Sequence, residues 1–234
     1  MTDCLIFGTG RSGTTALVGS LGRSGAFIGS NLTAPVSIMP DGACEDIDIL
    51  RWNDAIIRQL DTGNTPHVPK PADIIEKLAR RPFALKDPRF SRTYRFWKPF
   101  LPLGCACLVT FRDPISFVES ARRLAKEITG ITETDDQLLQ AWGYTYEEIL
   151  RKDDGSFHYI HYRTVMDESI YPYLENLLGY PIVRGFVRPE LTHPKEHPCP
   201  EEHRAVYAKL LDKMVRPAGL PPATRCFEGS RSGN

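Results

Sequence analysis

The sequence has no surplus of charge. Over 234 residues, 29 Lys and Arg stand against 29 Asp and Glu. With no net field to gather phosphate backbones, a nucleic-acid binder working by bulk positive charge is excluded. No apolar run approaches the roughly 18 residues of a membrane span. The first apolar stretch, residues 4–7, stops at Gly8, too short for a secretory leader, so neither a leader nor a span is expected. Cysteine is sparse: Cys4, Cys44, Cys105, Cys107, Cys199 and Cys226 form no C-x-x-C pair and no disulfide framework. They read as reduced thiols in a cytoplasmic protein. The 18 Gly and 19 Pro fall well short of a disordered composition. What is there, 41% hydrophobic and 25% charged residues, describes a core-forming chain of one domain.

Leu5-Ile6-Phe7 reads as a short buried strand, Gly8-Thr9-Gly10-Arg11-Ser12-Gly13-Thr14-Thr15 as a glycine-rich turn. Ala16, Leu17, Ser20 and Leu21 follow at helical spacing, with Gly25 as the stop. A helix is expected over 45–60, its first turn crowded with acids, and a short one near 72–80. Strands are expected at 83–85, 105–111 and 157–161, and helices at 115–126, 135–151, around 167–178 and at 201–214. Strands alternating with helices predict an α/β fold: a single domain over 1–234, a central parallel sheet flanked by helices, and a P-loop-like strand–loop–helix at the N-terminus. The site belongs at the carboxyl ends of the strands. Residues 26–81 read as a helical and loop insertion walling the acceptor side, residues 181–234 as a Pro-rich tail.

A strand, a glycine-rich loop and a helix start bring backbone N–H groups and a positive helix end around an anion. Gly8, Gly13 and Thr15 match the P-loop spacing, but Thr14 stands where the phosphate-gripping lysine belongs, and Arg11 is the loop's only cation. Asp113, behind Arg112, is a poor metal-holding residue, so the apparatus of Mg-dependent phosphoryl transfer is incomplete. His193, His197 and His203 have no Cys or acid at ligand spacing; they read as solvated loop histidines, and no metal is expected. Cys105 and Cys107 share a strand face and read as core thiols.

Gly10-Arg11-Ser12-Gly13-Thr14-Thr15 resembles the 5′-phosphosulfate loop of the sulfotransferases that use 3′-phosphoadenosine-5′-phosphosulfate. Strand residues 108–111, then Arg112-Asp113-Pro114, then Ser120 are similar to that family's 3′-phosphate grip, a strand-end Arg with a Ser eight residues on. Lys86-Asp87-Pro88-Arg89, and Trp52-Asn53-Asp54 on the helix from Glu45, look like segments of small bacterial members. Tyr162-Arg163 resembles a further landmark. The resemblance covers residues 4 to about 165. The family's C-terminal Arg-Lys-Gly element has no clear counterpart, Arg225 and Arg231 being cations in that region.

The resemblance implies a sulfotransferase that leaves 3′,5′-adenosine diphosphate and needs no metal. A donor phosphorylated at both ends of its adenosine needs two anion grips, and the chain offers two strand-end guanidiniums. Gly10 to Thr15 would hold the phosphosulfate, Arg11 neutralising the leaving bridge; Arg112 and Ser120 would hold the 3′-phosphate at the other end. The acceptor, a small-molecule hydroxyl on a carbohydrate, lipid, phenol or natural product, must lose a proton. Glu45 resembles the glutamate that some members use for this, and the histidine that others carry shortly after the second-strand lysine is missing after Lys86. Asp87 and Asp48 are the other candidate bases, and Lys86 is a second cation for the sulfuryl group. A P-loop kinase or triphosphatase, and a catalytically silent nucleotide-binding module, remain as alternatives.

Overall fold

The computed structural model describes residues 1–35, 42–63, 72–128, 133–187 and 199–216. Four strands, β1 (Cys4–Phe7), β2 (Ala84–Lys86), β3 (Ala106–Phe111) and β4 (Phe157–His161), form one parallel sheet in the order β2-β1-β3-β4. All of β1, β2 and β3 is buried. A parallel sheet covered on both faces needs such unbroken apolar runs.

The strand alternation sorts two cores. Leu5, Phe7, Cys107, Val109 and Phe111 face α2 (Ile47–Asp61), α4 (Phe90–Trp97), α5 (Pro114–Ile128), α6 (Asp135–Lys152) and α9 (Glu201–Asp212). Cys4, Ile6 and Leu108 face α1 (Thr14–Arg23), α7 (Tyr162–Met166) and α8 (Tyr171–Leu178). The chain leaves central β1 toward β2, then crosses back to β3, so the strand order reverses between β1 and β3. A crevice opens at the carboxyl ends on either side of that reversal, where open α/β sheets bind ligands.

Three elements differ from the sequence reading. The helix expected from Glu45 begins at Ile47, because Asp46 caps it, accepting from the N–H groups of Asp48 and Ile49. α4 was not expected at all. It forms because Phe90, Tyr94 and Trp97 fall on one helical face and bury against Phe7 and Trp52, with Trp97 edge-on to Trp52 at 4.7 Å. The helix expected around 167–178 begins only at Tyr171, as α8, and it is preceded by a separate short helix, α7, over Tyr162–Met166. His203 is not a solvated loop histidine: it lies on α9, buried, its ring 5.8 Å from Trp142. His193, His197, Arg225, Arg231 and Cys226 lie outside the described residues. Cys107 is a core thiol that donates to Tyr94 Oη, and burial pushes it up to about 11. No described helix is long and apolar enough to cross a membrane.

The short helix α3 (Ala72–Ala79) is fastened to α2 by charge. Lys77 Nζ, almost wholly buried, donates at 2.8 Å to both oxygens of Asp46, at 2.7 Å to Asp48 and at 3.0 Å to Ser30 Oγ. Burial alone would push the Asp46 carboxyl up. Its bonds from Lys77 and from the N–H groups of Ser30 and Asn31 outweigh that and hold it below the usual carboxylate range. A depressed folded value contributes stability that is present above the unfolded value and lost as pH falls through the folded one. Asp46→Asn should therefore flatten the loss of stability on acidification, read by urea unfolding between about pH 3 and 6. The turn after β1 makes a second prediction. Gly8 has φ 135°, and a Cβ there would stand 2.4 Å from the Thr110 carbonyl oxygen, whereas one on Gly10 would meet nothing within 4 Å. Gly8→Ala should cost about 2 kcal/mol or more and Gly10→Ala less than about 0.5 kcal/mol in the same assay.

Candidate functional site

The loop from Gly8 to Gly13 turns back over the end of β1 with three residues at positive φ: Gly8 at 135°, Arg11 at 66° and Gly13 at 91°. Its inner side is fastened to β3 and α6. Ser12 Oγ donates to the Thr9 carbonyl at 2.6 Å and lies 3.1 Å from Thr110 Oγ1. Tyr146 Oη donates to the Thr110 carbonyl at 2.9 Å and accepts from the Thr9 N–H at 3.4 Å. The Ser12 hydroxyl, expected at the anion, thus braces the loop from within, and Thr14 is buried beside it. Gly10 lies on the exposed side. Gly13 is the N-cap of α1, and no side chain caps that helix. The first N–H groups of α1 therefore keep their capacity to bond an outside acceptor at the positive end of the helix. Thr15 Oγ1 donates to the Ala43 carbonyl at 3.3 Å, tying α1 to the segment that carries Glu45.

Arg112 follows directly on β3. Its residue is 5% exposed, its Nη1 donates to the Arg11 carbonyl at 3.2 Å, and its guanidinium carbon lies 4.1 Å from the centre of the Tyr162 ring. The buried Nε has no hydrogen-bond partner, and among the described residues no carboxylate forms an ion pair with Arg112. Burial pulls its pKa down, and the more distant charge of Asp113 only partly offsets this. An arginine still keeps its proton under ordinary conditions, so the result is a desolvated cation suited to an anion. Ser120, one turn and more along α5, accepts from Arg11 Nε at 3.0 Å. Arg11 and Arg112 thus meet at one place. The Arg11 guanidinium rests on the hydroxyl expected at the 3′-phosphate, rather than reaching away toward a separate phosphosulfate end.

On the other side of β1, Lys86 ends β2 with its side chain buried, donating to Glu45 Oε1 at 2.6 Å. Glu45 remains partly open to solvent, and its backbone carbonyl accepts from the Thr33 N–H at 2.8 Å. Asp46, not Glu45, caps α2, which frees Glu45 from the helix end. Asp48 turns away to Lys77, Asn31 and Arg51. Asp87 is wholly buried: Oδ1 accepts from the Arg89 N–H at 2.8 Å and from its Nη1 at 3.3 Å, while Oδ2 has no partner. Burial pushes its carboxyl up, and Arg89 only partly offsets this. Thr9, Thr110 and Tyr146 carry no role in the sequence reading. Tyr146 sits on the buried face of an amphipathic helix, and nothing in its spacing distinguishes a core ring from one that carries a loop.

His161, at the end of β4, is pushed down to about 4 by burial, then by the charges of Arg163 and Arg112. It is a neutral ring that caps α7 through Nδ1. Among the described residues no cluster of His, Cys, Asp and Glu has the arrangement of a metal site.

No protein-family model and no curated protein matches the chain. Among solved structures it is similar to the sulfotransferase domain from the curacin biosynthetic pathway, with TM-score 0.54 and 16% identity over 92% of this chain and 99% of that one. It is likewise similar to the sulfotransferase domain from the Synechococcus PCC 7002 olefin synthase, with TM-score 0.51 and 15% identity over 94% and 90%. Both likenesses run through nearly the whole length of each chain, and at these identities they are likenesses of fold. The four-stranded parallel sheet and its flanking helices are thus the fold of sulfotransferase domains.

Proposed function

We propose that this protein is a sulfotransferase that moves a sulfuryl group from 3′-phosphoadenosine-5′-phosphosulfate to a hydroxyl of a small molecule. One observation carries the reading: a buried guanidinium, Arg112, without a carboxylate partner, beside an uncapped helix start at the strand-order reversal. A guanidinium left this way is destabilising until an anion arrives, so its retention at this crevice favours an anionic ligand. Arg112 and Ser120 suit a terminal phosphate that accepts two parallel N–H bonds and a hydroxyl bond. The N–H groups at the start of α1, with Gly10 leaving room in front of them, suit the second anionic group. Arg11, already at Ser120, adds charge at the Arg112 end.

The donor supplies a sulfur activated by a phosphate leaving group. Transfer forms a bond from the acceptor oxygen to sulfur and breaks the bond from sulfur to the bridging oxygen. That electron pair leaves on the phosphate of 3′,5′-adenosine diphosphate, and the acceptor proton goes to a base. Glu45 is the carboxylate best suited to be that base. Asp87 is sealed from any acceptor and Asp48 is committed to Lys77, whereas Glu45 keeps one oxygen on Lys86 and is partly open to solvent. Lys86 fixes the direction of the carboxylate and stands near the developing charge. A cytoplasmic setting agrees with the free thiols of Cys4, Cys44, Cys105, Cys107 and Cys199.

Calorimetry tests the donor class. The wild type should bind 3′,5′-adenosine diphosphate without metal more tightly than ATP with Mg²⁺; the opposite order points to a P-loop kinase or triphosphatase. Two substitutions then separate binding from chemistry. Glu45→Gln should lower turnover about 10²- to 10⁴-fold with any hydroxyl acceptor the wild type sulfates, at nearly unchanged nucleotide affinity. Arg112→Ala should weaken 3′,5′-adenosine diphosphate binding at least about tenfold, with a smaller effect at saturating donor.

A further inference from the structure

Tyr162 lies at the junction of β4 and α7, buried, with its ring against both parts of the anion crevice. One face stacks on the Arg112 guanidinium at 4.1 Å, and its edge closes on Gly13, where an added Cβ would stand 3.2 Å from Tyr162 Cδ2. The ring is held in place from behind. The His161 side chain caps α7 by accepting from the Arg163 N–H at 3.3 Å, and Thr164 Oγ1 donates to the His161 carbonyl at 2.8 Å.

We propose that Tyr162 is a positioning residue: its ring face carries the buried Arg112 cation in place of a carboxylate and fixes the guanidinium plane for phosphate. The physical need is specific. A buried carboxylate would stabilise Arg112 strongly, but it would neutralise the charge and compete for the N–H groups that an incoming phosphate must use. An aromatic face attracts the cation without accepting from its in-plane N–H groups. The fork edge of the guanidinium therefore keeps its donors, among them the unpartnered Nε, for bidentate recognition. The neutral Arg11 carbonyl on Nη1 completes an environment that holds Arg112 in orientation without spending its charge.

This inference rests on the reading of Arg112 as a 3′-phosphate grip, and the test separates the two. Titration calorimetry gives the dissociation constants of 3′,5′-adenosine diphosphate and of 5′-AMP, which lacks the 3′-phosphate, and their ratio isolates the 3′-phosphate. A wild-type ratio near one overturns the grip itself, and the inference with it. With a wild-type preference established, Tyr162→Leu should lower the ratio by about tenfold or more while 5′-AMP binding stays within about threefold. Tyr162→Phe, which keeps the π face, should preserve the ratio. The inference fails if the leucine variant keeps the wild-type ratio, if both nucleotides weaken equally, as a ring contact to the base would produce, or if phenylalanine loses as much as leucine. Tyr162→Met, of similar reach but without a π face, is read by the same ratio if the leucine chain does not fold.

Discussion

The site depends on one close approach: the backbone of Gly8 against the carbonyl of Thr110, at a distance no side chain permits. Because β1 and β3 are neighbours in register, that approach lays the first turn of the glycine-rich loop directly over the end of β3. Arg112, the next residue after β3 ends, then arrives beside Arg11 without any long-range search. Ser12, Thr9 and Tyr146 lock the contact by hydrogen bonds inside the core. The positive φ at Arg11 belongs to the same constraint. A non-glycine residue is held there by its neighbours on both sides.

Buried charge is treated in two opposite ways in this molecule. At the start of α2, Lys77 is surrounded by two carboxylates and a hydroxyl, and Asp46 by five donor groups, so each charge is answered several times over. That cluster belongs to architecture: it fastens α3, α2 and residues 30–33 into one wall next to Glu45. At the end of β3, Arg112 has a carbonyl and a ring in contact and no carboxylate within ion-pair distance among the described residues. The same physical cost is met in full at one place and left open at the other, and the open place lies at the carboxyl ends of the strands. Glu45 and Lys86 stand between these extremes: they are paired once, Lys86 buried and Glu45 partly exposed.

Much of the fold is legible in the sequence because its signals are local. Fully buried strands give unbroken apolar runs, as at Leu5-Ile6-Phe7, and each ends at a glycine or a charged residue. The glycine-rich loop announces its own turn by composition. What escapes is what depends on partners far along the chain. The period of Phe90, Tyr94 and Trp97 is present in the sequence, but it follows a proline-containing turn and becomes meaningful only once Trp52 and Phe7 are seen to receive it. α7 is five residues long, too short to show any period. Of the site, the residues on strand ends and in the loop can be read from spacing, since those places are fixed by topology. The meeting of Arg11 with Ser120, 109 residues apart, cannot, because it is decided by side-chain direction and not by strand order.

Helix α6 also acts as a ruler. Trp142 Nε1 donates to the carbonyl of Arg112 at 3.2 Å, and four residues later Tyr146 Oη reaches Thr110 and Thr9. One helical turn, about 6 Å of rise, therefore holds the end of β3 at Arg112 and the glycine-rich loop from one side. The interval between them is set by the pitch of a buried helix and not by any surface segment. Insertions between β1 and β2, or beyond β4, can change the surface around the strand ends over evolutionary time while the interval between Arg112 and the glycine-rich loop stays constant.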